Sequence, residues 1–289
     1  MKDSDTLRRF VFEGAGVRGT LVQLDASWQA VLERHPYPRA VQAPLGQSLA
    51  AVMLLSSTIK FDGALILQIE AEGPLRTLVA QATDQRTLRG LARWEGEVPD
   101  GASLDDTFGA GRLVLTASAP GGDRYQGVVA LEGESLAGAL ESYFAQSEQL
   151  PTRLWLTADG KRAAGLLLQR LPGAAGDEDA WPRTAMLADT LREAELLQLG
   201  TEALLRRLFN EETVRLFEPE PVAFRCGCSR ERVEGLLRAL GRAEVDEALD
   251  AQGAIEVTCE FCNRLYRVDK VDAEMLFRER GGEGSDARH

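Results

Sequence analysis

The spacing of hydrophobic positions changes along the chain, and each change marks a different part. Residues 64–70, 113–117 and 126–131 are short runs rich in branched aliphatic side chains, the pattern of strands. Residues 45–59 set Leu45, Leu49, Val52, Met53 and Leu55 too densely for a solvated helix, which predicts a helix at the centre of a core. After Ser135, a good N-cap, come Leu136, Ala139, Leu140, Tyr143 and Phe144 at i, i+3, i+4, i+7 and i+8. That is a helix with one packed face. Residues 1–175 therefore read as a β-rich mixed domain.

A turn-rich acidic run at 171–179 ends that pattern. Residues 184–209 turn helical, as two helices broken near Gly200. Thr201 is placed to cap the second, whose apolar stripe is Leu204, Leu205, Leu208 and Phe209. The segment 176–221 holds 11 acids and 5 arginines. It is amphipathic and too short for a core of its own, so it must dock on something, and an interdomain helical hairpin is the simplest account. Residues 222–275 form a third part. Ser229 caps a helix with Val233, Leu236, Leu237 and Leu240 on one face, ending near Gly241. A second short helix is expected over 243–249, and residues 255–259 with 265–268 read as a β-hairpin. Residues 276–289 are a polar tail expected to fray. The fold class is α+β: a β-rich N-terminal domain, a helical linker and a small C-terminal module.

Composition narrows the chemistry. A net charge of −12 over 289 residues argues against a nucleic-acid backbone as partner, since such binding relies on clustered Lys and Arg. From 218 to 276, 13 acids face 8 basic residues, so the C-terminal part is no exception. His35 and His289 are the only histidines, which leaves little room for imidazole acid–base catalysis, and His35 beside Pro36 reads as a loop residue. No catalytic residue is nominated. The start, MKDSDTLRRF, carries no apolar run behind its charges, so no secretory leader is expected. The charge-free stretch 40–59 contains Pro44 and Gly46 and reads as a buried helix, not a membrane span. A reducing, cytoplasmic compartment is expected.

The strongest motif is Cys226-Gly227-Cys228 followed, 30 residues on, by Cys259-Glu260-Phe261-Cys262. Two close pairs on two turns can converge as four thiolates around one tetrahedral zinc ion. A thioredoxin-like C-x-x-C or unconnected thiols are the alternatives, and the C-x-C half is unusual for a structural zinc ribbon. Sulfurs around zinc sit about 3.8 Å apart while a disulfide needs about 2.05 Å, so the metal-bound and oxidised states exclude each other. Structural zinc is worth on the order of 10–16 kcal/mol, so a module of this size should unfold on losing it. That holds for any such module and does not by itself make a switch. Gly14-Ala15-Gly16-Val17-Arg18-Gly19 matches a dinucleotide fingerprint, but a strand-like run follows it where a helix should open, so a hairpin turn is expected. No phosphate-binding loop is present, so ATP is not expected as a partner.

The run from Phe224 to Arg232 (FRCGCSRER), with VTCEFC from Val257, resembles the redox-regulated heat-shock chaperone family of about 33 kDa, the 33 kDa chaperonins. Val17-Arg18-Gly19, Lys60-Phe61-Asp62-Gly63, RYQGVV from Arg124, LEGE from Leu131, YFAQSEQLPTR from Tyr143 and FNEE from Phe209 look like further blocks of that family. The likeness spans about residues 7–270 and is weak at 176–179 and in the last dozen residues.

The resemblance implies an ATP-independent holdase that binds unfolding client proteins under oxidative stress. Reduced, it would hold one zinc per chain on Cys226, Cys228, Cys259 and Cys262, stay monomeric and be off. Oxidants with unfolding stress would form the disulfides Cys226–Cys228 and Cys259–Cys262, expel zinc, unfold the zinc domain (222–275) and linker (176–221), and give a homodimer. A C-x-C pair spans at most about 7 Å, so it closes only where the backbone turns, which Gly227 allows. Leu187, Leu191, Leu204, Leu205, Leu208 and Phe209 are the candidates for client binding, with packing the simpler role for any one of them. Two other classes stay open: an enzyme whose active site lies in the β-rich domain, and a zinc-ribbon adaptor, each with a purely structural four-cysteine module.

Overall fold

The computed structural model describes residues 4–59, 61–118, 124–173, 177 and 179–278. The chain divides into two compact units, one ending at Arg225 and the other beginning at Cys226. The first opens with β1 (Thr6–Phe12), β2 (Val17–Leu24), α1 (Ala26–Leu32), α2 (Arg39–Leu55), β3 (Ala64–Ala71), β4 (Leu75–Thr83) and β5 (Thr87–Trp94). It continues through α3 (Leu104–Phe108), β6 (Gly111–Ser118), β7 (Arg124–Ala130), α4 (Leu136–Tyr143), a π-helical turn (Phe144–Glu148), β8 (Thr152–Ala158) and β9 (Ala163–Arg170). Helices α5 (Ala180–Ala188), α6 (Glu193–Gln198) and α7 (Thr201–Leu208) follow, then the short strands β10 (Val214–Leu216), β11 (Glu220–Pro221) and β12 (Ala223–Phe224).

Two sheets result. One runs β10-β1-β2-β9-β8, with β11 also on β1; the other runs β12-β5-β4-β3-β6-β7. Helix α2 packs on strands of both, and eleven of its 17 residues are buried, as its dense apolar pattern predicts. It can approach closely because of Gly46, where a Cβ would fall 2.4 Å from that of Ala158. The helix ends at Leu55, short of the expected residue 59. Ser56, Ser57 and Thr58 turn their hydroxyls back on the carbonyls of Met53, Leu54 and Leu55 at 2.7–2.8 Å. Such local bonds compete with a continuing helix. The glycine-rich run near residue 14 is the hairpin between β1 and β2, with Gly14 and Gly16 at φ of 73° and 62°. Ser135 caps α4 by accepting a hydrogen bond from the Gly138 amide.

Strand β9 is buried on both faces. Ala163 and Leu167 join the α2 core, while Ala164, Leu166 and Leu168 join a second core with Phe10, Phe12, Val17 and Leu21. The linker helices fill that second face through Leu196, Leu204, Leu205, Leu208 and Phe209. Three helices stand where two were expected. The extra break falls at 189–192, where the Thr190 hydroxyl donates to the Leu187 carbonyl and the Glu195 carboxylate accepts from the Arg192 amide. Thr201 is not the cap of α7: Gly200 takes that position, and Thr201 is the buried first residue of the helix.

The second unit holds α8 (Arg230–Leu240), α9 (Arg242–Gln252), the hairpin β13 (Ala254–Thr258) with β14 (Leu265–Asp269), and α10 (Lys270–Arg278). Its core is small: Val233, Leu237, Val245, Leu249, Tyr266, Val268, Ala273 and Leu276. So narrow a core covers only part of the α8 stripe, leaving Leu236 and Leu240 more than half exposed. Helix α10 carries the chain past the expected start of the tail at 276; residues 279–289, where fraying is expected, lie outside the described residues.

Candidate metal centre

The first pair of cysteines sits in the irregular segment that enters α8, immediately ahead of its cap. The Ser229 hydroxyl accepts from the Arg232 amide, which fixes where the helix begins and thus where Cys228 points. The second pair lies in the turn of the β13–β14 hairpin. There the Cys259 amide donates to the Arg264 carbonyl at 3.0 Å and the Asn263 amide to the Cys259 carbonyl at 2.7 Å. Asn263 adopts φ 57°, a left-handed conformation that asparagine tolerates.

The fold brings all four sulfurs within 4.8 Å of one another, each half-buried and none in a disulfide. Cys226 Sγ lies 3.6 Å from Cys259 Sγ, and Cys228 Sγ 3.3 Å from Cys262 Sγ. A tetrahedral Zn–S₄ site with bonds of about 2.3 Å has sulfur–sulfur edges near 3.8 Å, so both spacing and donor type fit zinc. Among the described residues no other group of three or more His, Cys, Asp or Glu side chains converges in this way. Tyr266, one strand over on β14, donates its hydroxyl to Cys228 Sγ at 3.1 Å. The alternation of β14 turns Tyr266 and Val268 inward together, the one sequence signal that could have singled it out.

The thiols are unequal. Burial works against ionisation of Cys228, but hydrogen bonds from Tyr266 and from the neighbouring thiols outweigh it and bring it down to about 7. Burial raises Cys226, and raises Cys262 to about 12. The hydrogen bond to Cys228 lifts Tyr266 to about 12. Four thiolates at these distances would repel one another strongly and require a cation among them.

The remaining candidates lie elsewhere. Leu204, Leu205, Leu208 and Phe209 are at most 5% exposed on the first sheet, and Leu187 and Leu191 are partly buried beside them. His35 is in the loop before α2. No helix among the described residues is long and apolar enough to cross a membrane.

Two largely antiparallel sheets wrapped on a central helix, with four thiols gathered in a small separate module, define a two-unit α+β protein with a thiol-only metal-type centre. The family model described as Hsp33 protein matches residues 5–269. Among relatives, the 33 kDa chaperonin of Nitrosococcus oceani is 61% identical over 279 residues, 96% of each chain. That of Pseudomonas paraeruginosa is 47% identical over 297 residues and the full length of both. The crystal structure of a 33 kDa chaperonin from Thermotoga maritima, 23% identical, shares the fold with a TM-score of 0.84, over 96% of this chain and all of that one. The chain belongs to the Hsp33 family of chaperones.

Proposed function

We propose that this protein is a redox-regulated, ATP-independent holdase that acts in the cytoplasm, without enzymatic turnover, on proteins unfolding under oxidative stress. The observation that carries the reading is the four-thiol cluster: half-buried, unbridged and spaced for one metal ion. In the reduced state Cys226, Cys228, Cys259 and Cys262 would hold one zinc. Bound there, zinc would supply a cross-link between the α8 entry and the hairpin turn and hold the sulfurs as thiolates.

Activation starts at the sulfurs. Each pair, Cys226 with Cys228 and Cys259 with Cys262, would give two electrons to one hydrogen peroxide, which takes up two protons from solvent as the two thiolates become one disulfide, leaving two waters. The hairpin and α8 then lose their common anchor, and a module with eight buried side chains cannot stay folded without it. Release of the linker follows in this account. Its docked face holds Leu204, Leu205, Leu208 and Phe209, with Leu187 and Leu191 at the edge. Once free, that face is an apolar stripe on an acidic segment, able to hold a client while staying soluble, and able to support a homodimer.

The test is zinc per chain and suppression of client aggregation on one sample, before and after peroxide at a mild heat-shock temperature. Loss of about one zinc together with the appearance of holding activity is expected. Zinc loss without activity would reduce the metal to a structural staple.

A further inference from the structure

Where α2 ends, the inner faces of the two sheets part and leave a cavity of about 310 Å³ in the first unit. It is walled mostly by apolar side chains, among them Leu55, Ile59, Phe61, Leu65, Leu115 and Phe144. Exposed Ile59 and Tyr125 give it access to solvent. The volume is at the lower edge of ordinary small-molecule sites, roughly 300–1,000 Å³. Open on one side and apolar within, it is a concave site of the kind that takes an apolar ligand.

The polar groups on its wall are arranged unevenly. Tyr125 and Tyr143 both donate to Glu148 Oε1, at 2.9 and 3.0 Å, so that exposed carboxylate is already served. Tyr143 can lie over β7 because residue 127 is glycine; a Cβ there would sit 2.2 Å from the tyrosine oxygen. Arg18 is half-buried and desolvated. Its Nε donates to Gln169 Oε1 at 3.1 Å and its Nη2 to the Thr58 carbonyl at 3.3 Å, both neutral acceptors, and no carboxylate forms an ion pair with it among the described residues. Gln169 is itself buried and fixed by donating to Thr152 Oγ1 at 2.8 Å. A half-buried guanidinium whose acceptors are all neutral has charge left to offer an anion.

Four of the sequence blocks outside the cysteine module meet at this wall: Val17-Arg18-Gly19 through Arg18, the block at 60–63 through Phe61, RYQGVV through Tyr125, and YFAQSEQLPTR through Tyr143, Phe144, Glu148 and Leu150. Lys60 lies outside the described residues. The thiol chemistry uses none of them.

We propose that this cavity binds an anionic amphiphile, a single apolar chain ending in a carboxylate, with the carboxylate on Arg18 and the chain along the aliphatic and aromatic wall. The site belongs to the first unit and does not depend on the redox reading. Decanoate is the probe and decanol its uncharged counterpart, titrated calorimetrically into the reduced, full-length, zinc-loaded chain. Saturable one-to-one decanoate binding is expected, with decanol at least tenfold weaker, the worth of a charge-assisted hydrogen bond. Arg18→Met should erase the difference between the two ligands, Arg18→Lys should keep part of it, and Ala117→Phe, which fills the cavity, should abolish both. Circular dichroism and zinc content confirm that each variant is folded. No saturable binding to the unmodified chain, equal affinity for decanoate and decanol, or a difference that survives Arg18→Met in a folded protein overturns the proposal.

Discussion

Phe209 is the residue on which the docking of the linker can be tested most sharply. It closes α7, is 2% exposed, and meets Phe12 edge-on at 4.9 Å between ring centroids and Phe10 at 6.3 Å. Both partners belong to β1, so the ring ties the linker to the sheet and takes no part in the sheet's own hydrogen-bond ladder. Truncating a buried Phe to Ala costs about 3–5 kcal/mol. If that cost falls on docking, the undocked-to-docked ratio rises roughly 100- to 4,000-fold. Hydrogen exchange read by mass spectrometry on the reduced, zinc-loaded Phe209→Ala variant should find peptides across 180–209 accelerated by such a factor, with β3 to β6 unchanged. Holding activity should then appear without oxidant. Linker peptides as protected as in the unmodified chain would refute the idea that this apolar face holds the linker. Equal acceleration in both sheets would refute its independent release.

Other tests address other links. Tyr266→Phe removes the hydroxyl that donates to Cys228 and little else, so zinc should pass to a competing chelator about 10- to 100-fold more readily, with far-ultraviolet circular dichroism unchanged. Glu141 accepts from the Leu154 amide and Arg153, yet burial lifts its carboxyl above its ordinary value of 4.5. Between 4.5 and the raised value the folded chain binds more protons than the unfolded one, so this group's contribution to stability falls as pH rises through that window. Glu141→Gln, which can still accept from Leu154, should gain in Tm relative to the unmodified protein from pH 4.5 upward; a shrinking difference would contradict the sign. Peptide mapping of peroxide-treated protein without reductant should find Cys226–Cys228 and Cys259–Cys262, and cross-pair bridges would contradict the proposed activation.

What could be read from the chain beforehand was whatever is settled locally. Ser135 and Ser229 cap their helices through amides three residues away, and the dense apolar run at 45–55 needs no knowledge of its neighbours to be placed inside. The cysteine spacing is likewise local in each half. The errors fall where the surroundings decide. Leu236 and Leu240 repeat with helical period, but how wide a stripe is buried depends on what packs on α8, and the small module covers only Val233 and Leu237. Helix α10 presents Val271 and Met275 to solvent while burying Ala273 and Leu276, so its apolar positions point to no single face. Three linker helices replaced two because a threonine hydroxyl and a glutamate cap, both substitutes for backbone bonds, break the period at 189–192. The cavity could not be read at all, since it depends on Gly127 admitting Tyr143 from another element.

The pattern of sulfur bridging decides whether this module is a switch or a staple, and the geometry gives that choice physical content. In the folded module two of the sulfur contacts run across the pairs, Cys226 to Cys259 at 3.6 Å and Cys228 to Cys262 at 3.3 Å, between residues 33 and 34 positions apart. A bridge between such distant residues would be worth about 4 kcal/mol by loop closure and would join the same two segments that zinc would join. Oxidation of that kind would leave the module knit together. Bridges within the pairs close loops of three and four residues, worth only about 1.5–2 kcal/mol each, and leave the hairpin turn and the α8 entry unconnected. Their sum is well short of the roughly 10–16 kcal/mol that structural zinc supplies. Within-pair oxidation therefore removes far more stability than it restores. In a rigid module even the cross-pair sulfurs, at 3.6 and 3.3 Å, are too far apart for a disulfide of about 2.05 Å, and heat or a denaturant that loosens the hairpin frees the pairs to close. On these terms the proposed switch answers to oxidation and unfolding together, more strongly than to either alone.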